Sequence, residues 1–482
     1  MGLKKNILYS GFLTTSIYIF QFITYPYIAR VLGVTNIGIC NYVQSIVNYF
    51  CLFSMLGITT LGVREIAKCN GNEEKISKTF SELFTLNAFF TITVFIAYIL
   101  CIELVPQFQA YKKLLYIGAS QLLFNTLIVE WLFRGLEKFK YITIRTLFVR
   151  TAYVILIFLF VRDSYDYTTY FIIYSGMIIA NGFINWNYGR KFAHFTIQPL
   201  YAIKHYLKPL LYLGSQSILI SIYTTFNVVF LGMMCGDTQV GYYTTATKIQ
   251  NIILALYTSF TLVMMPRISA LMEENNTDSI KKLTQQSFNL LYAFVFPCIF
   301  FSEFYAEEIV YLIAGSGYMG AVIPMRIVMP LMLIIGLEQI LIVQILTPAR
   351  ADKQVFINSL IGATCSVILN ICLVSKFKSI GSSVVWFVCE LAVLSAAIYF
   401  VKKKFENIYF VSDIVKHLLA FIPLLLGFYV LSILDQMVWL NFSEGFVMTL
   451  LYSHFALYYI VKNSLYIKYT NYLITRLMKS LN

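Results

Sequence analysis

Long apolar stretches, separated by short clusters of charged residues, follow one another along the whole sequence. A helix of about 20 apolar residues crosses the hydrocarbon core of a bilayer, which is about 30 Å thick. Stretches of this kind lie at residues 7–29, 37–62, 80–105, 114–133, 144–161, 170–186, 210–233, 241–265, 283–304, 323–346, 355–375, 381–401, 414–434 and 446–461. Because a backbone in lipid must satisfy its own hydrogen bonds, the pattern predicts an all-α integral membrane protein with about 14 transmembrane helices.

The composition agrees with a chain that lies in lipid. Of the 482 residues, 59% are hydrophobic and 12% are charged, which excludes an ordinary soluble globular protein. Lys4 and Lys5 precede the first stretch and no small-residue cleavage motif follows it, so we expect a retained first helix and not a removable signal. The nine cysteines form no C-x-x-C pair and fall mostly within apolar stretches, which is typical of buried thiols.

The formal net charge of +13 follows from where Lys and Arg lie. With the N-terminus inside, most of the 36 Lys and Arg fall in connections that the alternation of helices places in the cytoplasm. Cytoplasmic connections of membrane proteins collect these residues. The distribution therefore predicts that both termini are cytoplasmic, and it gives no reason to expect a nucleic-acid partner.

Sliding the sequence on itself by 203 positions reveals a sparse internal repeat. The matches cluster in the first two helices of each half: Leu8, Tyr9, Gly11, Gly38, Ile46, Asn48 and Arg64 fall on Leu211, Tyr212, Gly214, Gly241, Ile249, Asn251 and Arg267. Repeats of six helices enter the membrane in the same sense and are related by an axis along its normal. We predict an N-terminal six-helix bundle at 1–205, a C-terminal six-helix bundle at 206–404, substrate between them, and two extra helices with a cytoplasmic tail at 405–482.

Polar residues share one helical face in each predicted half. In the second helix they are Asn41, Gln44, Ser45 and Asn48, and in the eighth they are Thr244, Lys248 and Asn251. The shift of 203 superimposes the two faces, which favours the lining of a shared cavity. The alternative is hydrogen bonding between helices, which uses the same residue types in membrane bundles.

Four cations fall within or beside the predicted helices. Lys248 lies near the bilayer midplane, where a charge costs about 3 kcal/mol unless it faces water, a partner or an anionic ligand. Arg150 cannot be moved outside the membrane without leaving its helix too short. Arg326 and Arg30 lie nearer the ends of their helices, where reaching the outer surface is the alternative to lining a cavity.

Among the acids, Glu390 lies closest to the middle of a helix and is the candidate for a proton or cation site, with a buried partner for a cation as the alternative. Glu130 precedes Arg134 by four residues, which predicts an ordinary pair on one helix. Glu338 lies towards the inner end of its helix and is a weaker candidate.

Signals for enzymatic chemistry are weak. GSGYMG at 315–320 fits G-x-G-x-x-G, but a long apolar helix follows it, so we interpret it as a turn between membrane helices. The sequence has no Gly-Lys pair, which excludes a P-loop, and its histidines have no metal-ligand spacing. Trp131, Trp186 and Trp439 lie near the ends of predicted helices, where interfacial anchors occur.

Taken together, several segments resemble the Wzx-type polysaccharide repeat-unit flippases of the multidrug/oligosaccharidyl-lipid/polysaccharide exporter superfamily. These segments are ARVLGVTNIGICNYVQSIVNYF, LGVREIAK, EWLFRGLEKFKYITIR, YTTFNVVFLGMMCGDTQVGYYTTATKIQNI, MMPRIS and GSGYMGAVIPMRI. Their order and spacing are the specific part of the resemblance, which covers nearly the whole chain.

The resemblance implies a MATE-like fold and a flippase, not an enzyme, that moves an undecaprenyl-pyrophosphate-linked oligosaccharide by alternating access across the bacterial inner membrane. The four cations Lys248, Arg30, Arg150 and Arg326 suit the binding of the anionic head group, and Lys248, followed by Arg30, lies in the segment that best matches the family pattern. Asn227 stands where relatives often have an acid, and this moves the expected ion coupling, by a proton or sodium, to Glu390. No cofactor is expected; the expected partners are the lipid-linked substrate, membrane lipids and other glycan assembly proteins.

Two other functions remain open at this point. An organic-cation efflux transporter would share the fold, but a cavity with Lys248 at its centre should repel cations. A membrane glycan polymerase needs catalytic acids on a sizeable outer loop, and the longest outer connection, around 303–321, offers acids but little room for a domain.

Overall fold

A computed structural model describes residues 3–404, 411–434, 437–463, 466–468, 470–472 and 475. Within these ranges the regular structure is helical and contains no strand, which confirms the all-α prediction. The chain divides into two compact units: unit 1 holds residues 1–245 and 362–389, and unit 2 holds residues 246–361 and 390–482. The predicted bundle boundaries at 205 and 404 stay predictions.

Within the described residues, unit 1 is built from ten helices, the start of an eleventh and, from residues 362–389, parts of two later helices given below. They are α1 (Leu3–Met55), α2 (Ile58–Lys68), α3 (Glu73–Leu104), α4 (Lys112–Asn125), α5 (Glu130–Gly135), α6 (Phe139–Phe160), α7 (Tyr167–Gly189), α8 (Leu200–Ile203), α9 (Leu207–Thr224), α10 (Phe226–Cys235) and the first turns of α11 (Asp237–Glu273).

Unit 2 continues α11 and adds the remaining helices. They are α12 (Thr277–Phe304), α13 (Ala306–Ala314), α14 (Val322–Val328), α15 (Leu331–Glu338), α16 (Asp352–Leu369), α17 (Ser375–Lys404), α18 (Val411–Ile433) and α19 (Val438–Phe455). Helices α16 and α17 contribute residues to both units. The segments Gln339–Leu346, Asn370–Val374 and Ala456–Ile460 are wound as π-helix.

Helix α1 is interrupted where the sequence predicts a connection between two membrane crossings. Gly33 has φ 76° and ψ 166°, a conformation that glycine adopts without steric cost. The second predicted crossing ends at Met55, earlier than expected, because Leu56 and Gly57 have positive φ. The apolar run continues past this break into α2, so hydropathy alone gave no signal for it.

In the described part of the chain, eight helices are long and apolar enough to cross a membrane, or ten if each of two bent pairs counts as one crossing. Two of the eight, at 16–68 and 352–404, contain 53 residues each, about twice the length that a bilayer needs. Gly33 and Lys378 interrupt them with non-helical backbone. The all-α membrane fold is thus confirmed, while the count of fourteen crossings stays a prediction.

The GSGYMG segment is a turn, as predicted, but the helix directly before it, α13, is shorter than the membrane helix that was expected there. Gly315 ends α13 with φ 92°, and Ser316–Ala321 form a 3₁₀ turn that leads into α14. Helix α13 has nine residues and is too short to cross a bilayer. No strand precedes the turn in the described chain, so the arrangement of a dinucleotide-binding loop is absent there.

An aromatic core fixes one end of unit 1. Trp131 is 2% exposed and stacks on Phe80 with ring centroids 5.6 Å apart. A Cβ placed on Gly62 would lie 2.5 Å from the Trp131 ring, so only glycine lets α2 approach this side chain. The prediction that Trp131 is an interfacial anchor is therefore wrong, because the indole packs inside the unit.

Candidate functional site

In unit 1, α1 and α11 cross in backbone contact at two glycines. A Cβ on Gly38 would lie 1.8 Å from the carbonyl oxygen of Asp237, and a Cβ on Gly241 would lie 2.3 Å from the carbonyl oxygen of Val34. Real Cβ atoms do not approach backbone oxygens so closely, because dispersion attraction turns to repulsion at such separations. The crossing therefore depends on glycine at both positions.

Hydrogen bonds on both sides of this crossing join residues that the internal repeat relates. The Thr35 and Thr238 hydroxyl oxygens lie 2.9 Å apart, and Asn41 Nδ2 donates to Thr244 Oγ1 at 2.8 Å. Each pair is separated by 203 positions, the shift found in the sequence. Residues related by a two-fold repeat touch one another only near its axis, so these contacts support the repeat and its register.

The polar face of α1 continues as a chain of interhelical hydrogen bonds. Gln44 and Gln121 exchange two amide hydrogen bonds of 3.0 and 3.1 Å, and Gln44 Nε2 also donates to Asn48 Oδ1 at 2.8 Å. Gln121 Nε2 donates to Ser175 Oγ at 2.8 Å. The chain joins α1, α4 and α7, which is the alternative that the sequence left open for this face.

The remaining predicted polar residues differ in their exposure. Ser45 donates to the carbonyl oxygen of Asn41 within its own helix, while Asn48 and Asn251 are exposed. Asn227 is fully buried, and it accepts from Asn370 Nδ2 at 2.7 Å. Asn227 therefore contributes to packing between α10 and the Asn370–Val374 segment, and its role in a cavity stays a prediction.

Arg150 is the half-buried cation in the middle of α6. Tyr153 and Tyr174 are its electrostatic neighbours, with their ring centroids 6.2 Å apart. Within the described residues Arg150 forms neither a salt bridge nor a side-chain hydrogen bond. A guanidinium in this position keeps its donors available, so it can bind an anion with two parallel hydrogen bonds.

Arg30 lies on the helix that packs against α6. It is exposed and precedes the break at Gly33 by three residues. Beside it, Tyr27 donates its hydroxyl to the carbonyl oxygen of Val161 at 2.7 Å and its ring lies 4.4 Å from that of Phe158. These contacts hold the first half of α1 against the end of α6, so Arg30 and Arg150 belong to neighbouring helices of one unit.

The other predicted cations belong to unit 2. Lys248 is half-buried on α11. Arg326 is exposed at α14, and its guanidinium lies 3.9 Å from the exposed carboxylate of Glu307. This loose pair agrees with the alternative in which Arg326 reaches the surface, because exposed ion pairs of this kind contribute little stability.

Two contacts between ionisable side chains were not predicted from the sequence. Glu130 pairs with Arg134 at 2.7 Å, as expected, and it also accepts from the buried Arg145 at 2.8 Å. Glu390 is 3% exposed, and its carboxyl group is hydrogen bonded to that of Glu338, which is 7% exposed. The sequence signalled each acid of the second pair separately, since both interrupt apolar stretches of their helices, but it did not signal their pairing.

No cluster of three or more metal-ligating side chains occurs in the part of the chain that the structure describes.

Comparisons with known proteins identify the family of this chain and proteins with a similar sequence. The family model described as "Polysaccharide biosynthesis protein" matches residues 3–272. The chain is 27% identical over 416 residues to a protein of Escherichia coli (strain K12) named "Putative O-antigen transporter", covering 83% of this chain and 97% of that protein. A protein of Shigella dysenteriae with the same name is 27% identical over 278 residues, covering 56% of this chain and 68% of that protein.

Solved structures show the same fold at low sequence identity. Lipid II flippase MurJ in an inward closed conformation has a TM-score of 0.77 and 16% identity, covering 94% of this chain and 99% of that one. A MATE structure in a bent conformation has a TM-score of 0.55 and 14% identity, covering 82% and 93% of the two chains. The MATE-like fold and the resemblance to repeat-unit flippases are thereby confirmed, and the chain belongs to the polysaccharide biosynthesis protein family.

Proposed function

We propose that this protein translocates undecaprenyl-pyrophosphate-linked oligosaccharide repeat units across the bacterial inner membrane by alternating access. The observation that carries the proposal is Arg150, a half-buried cation inside a membrane helix with no salt bridge among the described residues. The names of the E. coli and S. dysenteriae relatives supply the class of cargo, and those relatives are named as transporters, not as enzymes.

The charge of the cargo fits the charge of the candidate site. A pyrophosphate is a concentrated anion, and an unpaired arginine within the bilayer lowers the free energy of holding it there. In our proposal Arg150 binds the pyrophosphate and Arg30 meets it from the neighbouring helix. Lys248 contributes the same sign of charge, and this contribution stays a prediction.

The crossing of α1 and α11 at the two glycines provides a way to close the outer side of the transport path. The predicted topology places Thr35, Gly38 and their counterparts Thr238 and Gly241 towards the outer surface. Their contacts would then close the outer ends of α1 and α11, and these ends would separate when the cargo leaves towards the periplasm. The cytoplasmic location of both termini and the inner membrane are part of this proposal.

Coupling to an ion is a further part of the proposal, with Glu390 as the group that binds it. No cofactor is required. Other glycan assembly proteins are expected partners, because the lipid-linked repeat unit must be made on one side of the membrane and polymerised on the other.

Organic-cation efflux and glycan polymerisation remain the alternatives. An unpaired arginine within the helices disfavours a cationic cargo, because like charges in a low dielectric repel. The named relatives are transporters, which disfavours a polymerase.

The test is deletion of the gene followed by analysis of lipid-linked oligosaccharide, with rescue by wild-type protein or by Arg150→Ala. We expect the deletion strain to accumulate unflipped repeat units and Arg150→Ala to lose at least tenfold in flipping, since a charge-assisted hydrogen-bonded pair is worth roughly 1.5–3 kcal/mol. The matched control is Arg162→Ala, which removes an exposed arginine near the end of the same helix. Full rescue by Arg150→Ala would contradict the proposed role.

A further inference from the structure

A pair of buried carboxyl groups joins two helices of unit 2. Glu338 is the last residue of α15, and Glu390 lies in the middle of α17. They are 7% and 3% exposed, and their carboxyl groups are hydrogen bonded to each other. Both carboxyl groups are therefore shielded from water, and they face one another in the interior of the unit.

The hydrogen bond between them requires a proton. An ionised carboxylate only accepts hydrogen bonds, whereas a protonated carboxyl group has one donor. Two carboxyl groups can thus bond directly only when one of them is protonated, and two like charges in this position would repel strongly. The second oxygen of Glu338, Oε1, is buried without a partner among the described residues.

The backbone next to the pair is unusual. Directly after Glu338 the chain forms the π-helix Gln339–Leu346, a geometry that often occurs at functional sites. Gln339 Nε2 donates to Thr258 Oγ1 at 3.0 Å, while the Oε1 atoms of Gln339 and Gln344 are buried without partners in the described chain. Two buried acceptors of this π-helix thus have no hydrogen-bond donor among the described residues.

Several titratable groups on the neighbouring helices are engaged elsewhere or lie at another level, while Glu303 lies at the far end of α12, next to its last residue. On α12, the ring of Tyr292 faces His417 at 5.5 Å, and on α14, Arg326 is exposed beside Glu307. On α11, the Tyr257 hydroxyl donates to the carbonyl oxygen of Ser287. Lys248, on the same helix, precedes Thr258 by ten residues, which is about 15 Å along the axis.

We propose that Glu338 and Glu390 together bind one proton and that this pair is the site at which proton movement is coupled to transport. The inference rests on the proposed function and names its coupling ion. When the proton leaves to water, two buried negative charges remain and push α15 and α17 apart; when it returns, the hydrogen bond draws them together. A sodium ion fits less well, because it needs several oxygen ligands at once, and the two carboxyl groups already bond to each other.

The first measurement does not depend on the cargo. Full-length protein in lipid nanodiscs is titrated with acid and base while difference infrared spectroscopy follows the stretching band of protonated carboxyl groups. We expect a band from a buried carboxyl group in the wild type, its loss in Glu338→Gln and in Glu390→Gln, and its retention in Glu307→Gln, which changes an exposed acid. A wild-type spectrum without such a band, or one unchanged in Glu338→Gln, would overturn the inference.

The second measurement tests the coupling. Liposomes containing the protein and a pyrophosphate-linked oligosaccharide lipid are given a pH gradient or a sodium gradient of equal size. The wild type should be stimulated by the pH gradient alone, and Glu338→Gln, whose amide imitates the protonated acid, should lose this stimulation while Glu307→Gln keeps it. Stimulation by sodium alone, or a full response in Glu338→Gln, would refute proton coupling at this pair.

The two measurements separate this inference from the proposed function. If the infrared band behaves as expected but neither the wild type nor any variant moves the lipid, the proton site is supported and the proposed cargo is wrong. If the lipid is moved equally well with and without a pH gradient, the proposed function stands and the coupling fails.

Discussion

Buried polar atoms without a hydrogen-bond partner occur in both units of the described chain, and unit 2 has more of them than unit 1. In unit 1, Gln44, Gln121 and Ser175 bond to one another across three helices. In unit 2, Gln250 is fully buried and neither of its amide atoms has a hydrogen-bond partner in the described chain, and Glu338 has one unpartnered oxygen. An unsatisfied buried polar group lowers stability, so the bonded amides of unit 1 contribute to packing, whereas Gln250 and Glu338 of unit 2 are candidates for a functional role.

The largest effect is expected where unit 1 is packed most tightly. Gly38→Ala places a Cβ 1.8 Å from the carbonyl oxygen of Asp237, so α1 and α11 must move apart. We expect a loss of roughly 3 kcal/mol or more in the free energy of unfolding, measured by thermal or chemical unfolding of purified protein. Gly176→Ala is the control, since a Cβ there meets nothing within 4 Å. Equal stability of both variants would show that the crossing is looser than described.

A smaller loss of stability is expected when one member of the amide chain is removed. Gln121→Leu leaves Gln44 and Ser175 without their partner and should lower the free energy of unfolding by about 1–3 kcal/mol. The double variant Gln44→Leu with Gln121→Leu removes both ends of the amide pair and should recover part of this loss. Stabilities that simply add would argue against a direct coupling of the two amides.

The smallest change in stability is expected in unit 2. Gln250→Leu replaces a side chain with no hydrogen-bond partner among the described residues, so the free energy of unfolding should stay the same or rise by about 1 kcal/mol. Flipping of lipid-linked oligosaccharide should nevertheless fall if the amide is kept for function. If Gln250→Leu changes neither the flipping of the lipid nor the free energy of unfolding, Gln250 has no functional role that distinguishes it from the amides of unit 1.

The architecture was largely predictable because hydropathy and helix length determine it directly. The apolar stretches located most of the helices. The shift of 203 positions makes Thr35 equivalent to Thr238 and Asn41 equivalent to Thr244, and the structure adds that these equivalent residues are hydrogen bonded to each other. The break at Gly57 was not predicted, since the sequence stays apolar through it and only the backbone conformation changes.

The candidate site was predictable only in part. Arg150 became a candidate because its predicted helix would be too short to cross the bilayer without it, and its binding role stays a prediction. The pairing of Glu338 with Glu390 was not found, because a contact between two helices leaves no periodic trace in one sequence. The burial of Trp131 was missed for a related reason: a position near a helix end does not reveal what packs over it.

The central claim is that Arg150 binds the anionic head group of a lipid-linked cargo, and it is tested most directly by comparing two lipids. Purified protein in liposomes is offered a pyrophosphate-linked oligosaccharide lipid and an uncharged analogue with the same sugars. The account predicts that the wild type moves the charged lipid much faster, that Arg150→Ala loses this preference, and that Arg162→Ala keeps it. Equal rates for both lipids in the wild type, or an unchanged preference in Arg150→Ala, would contradict it.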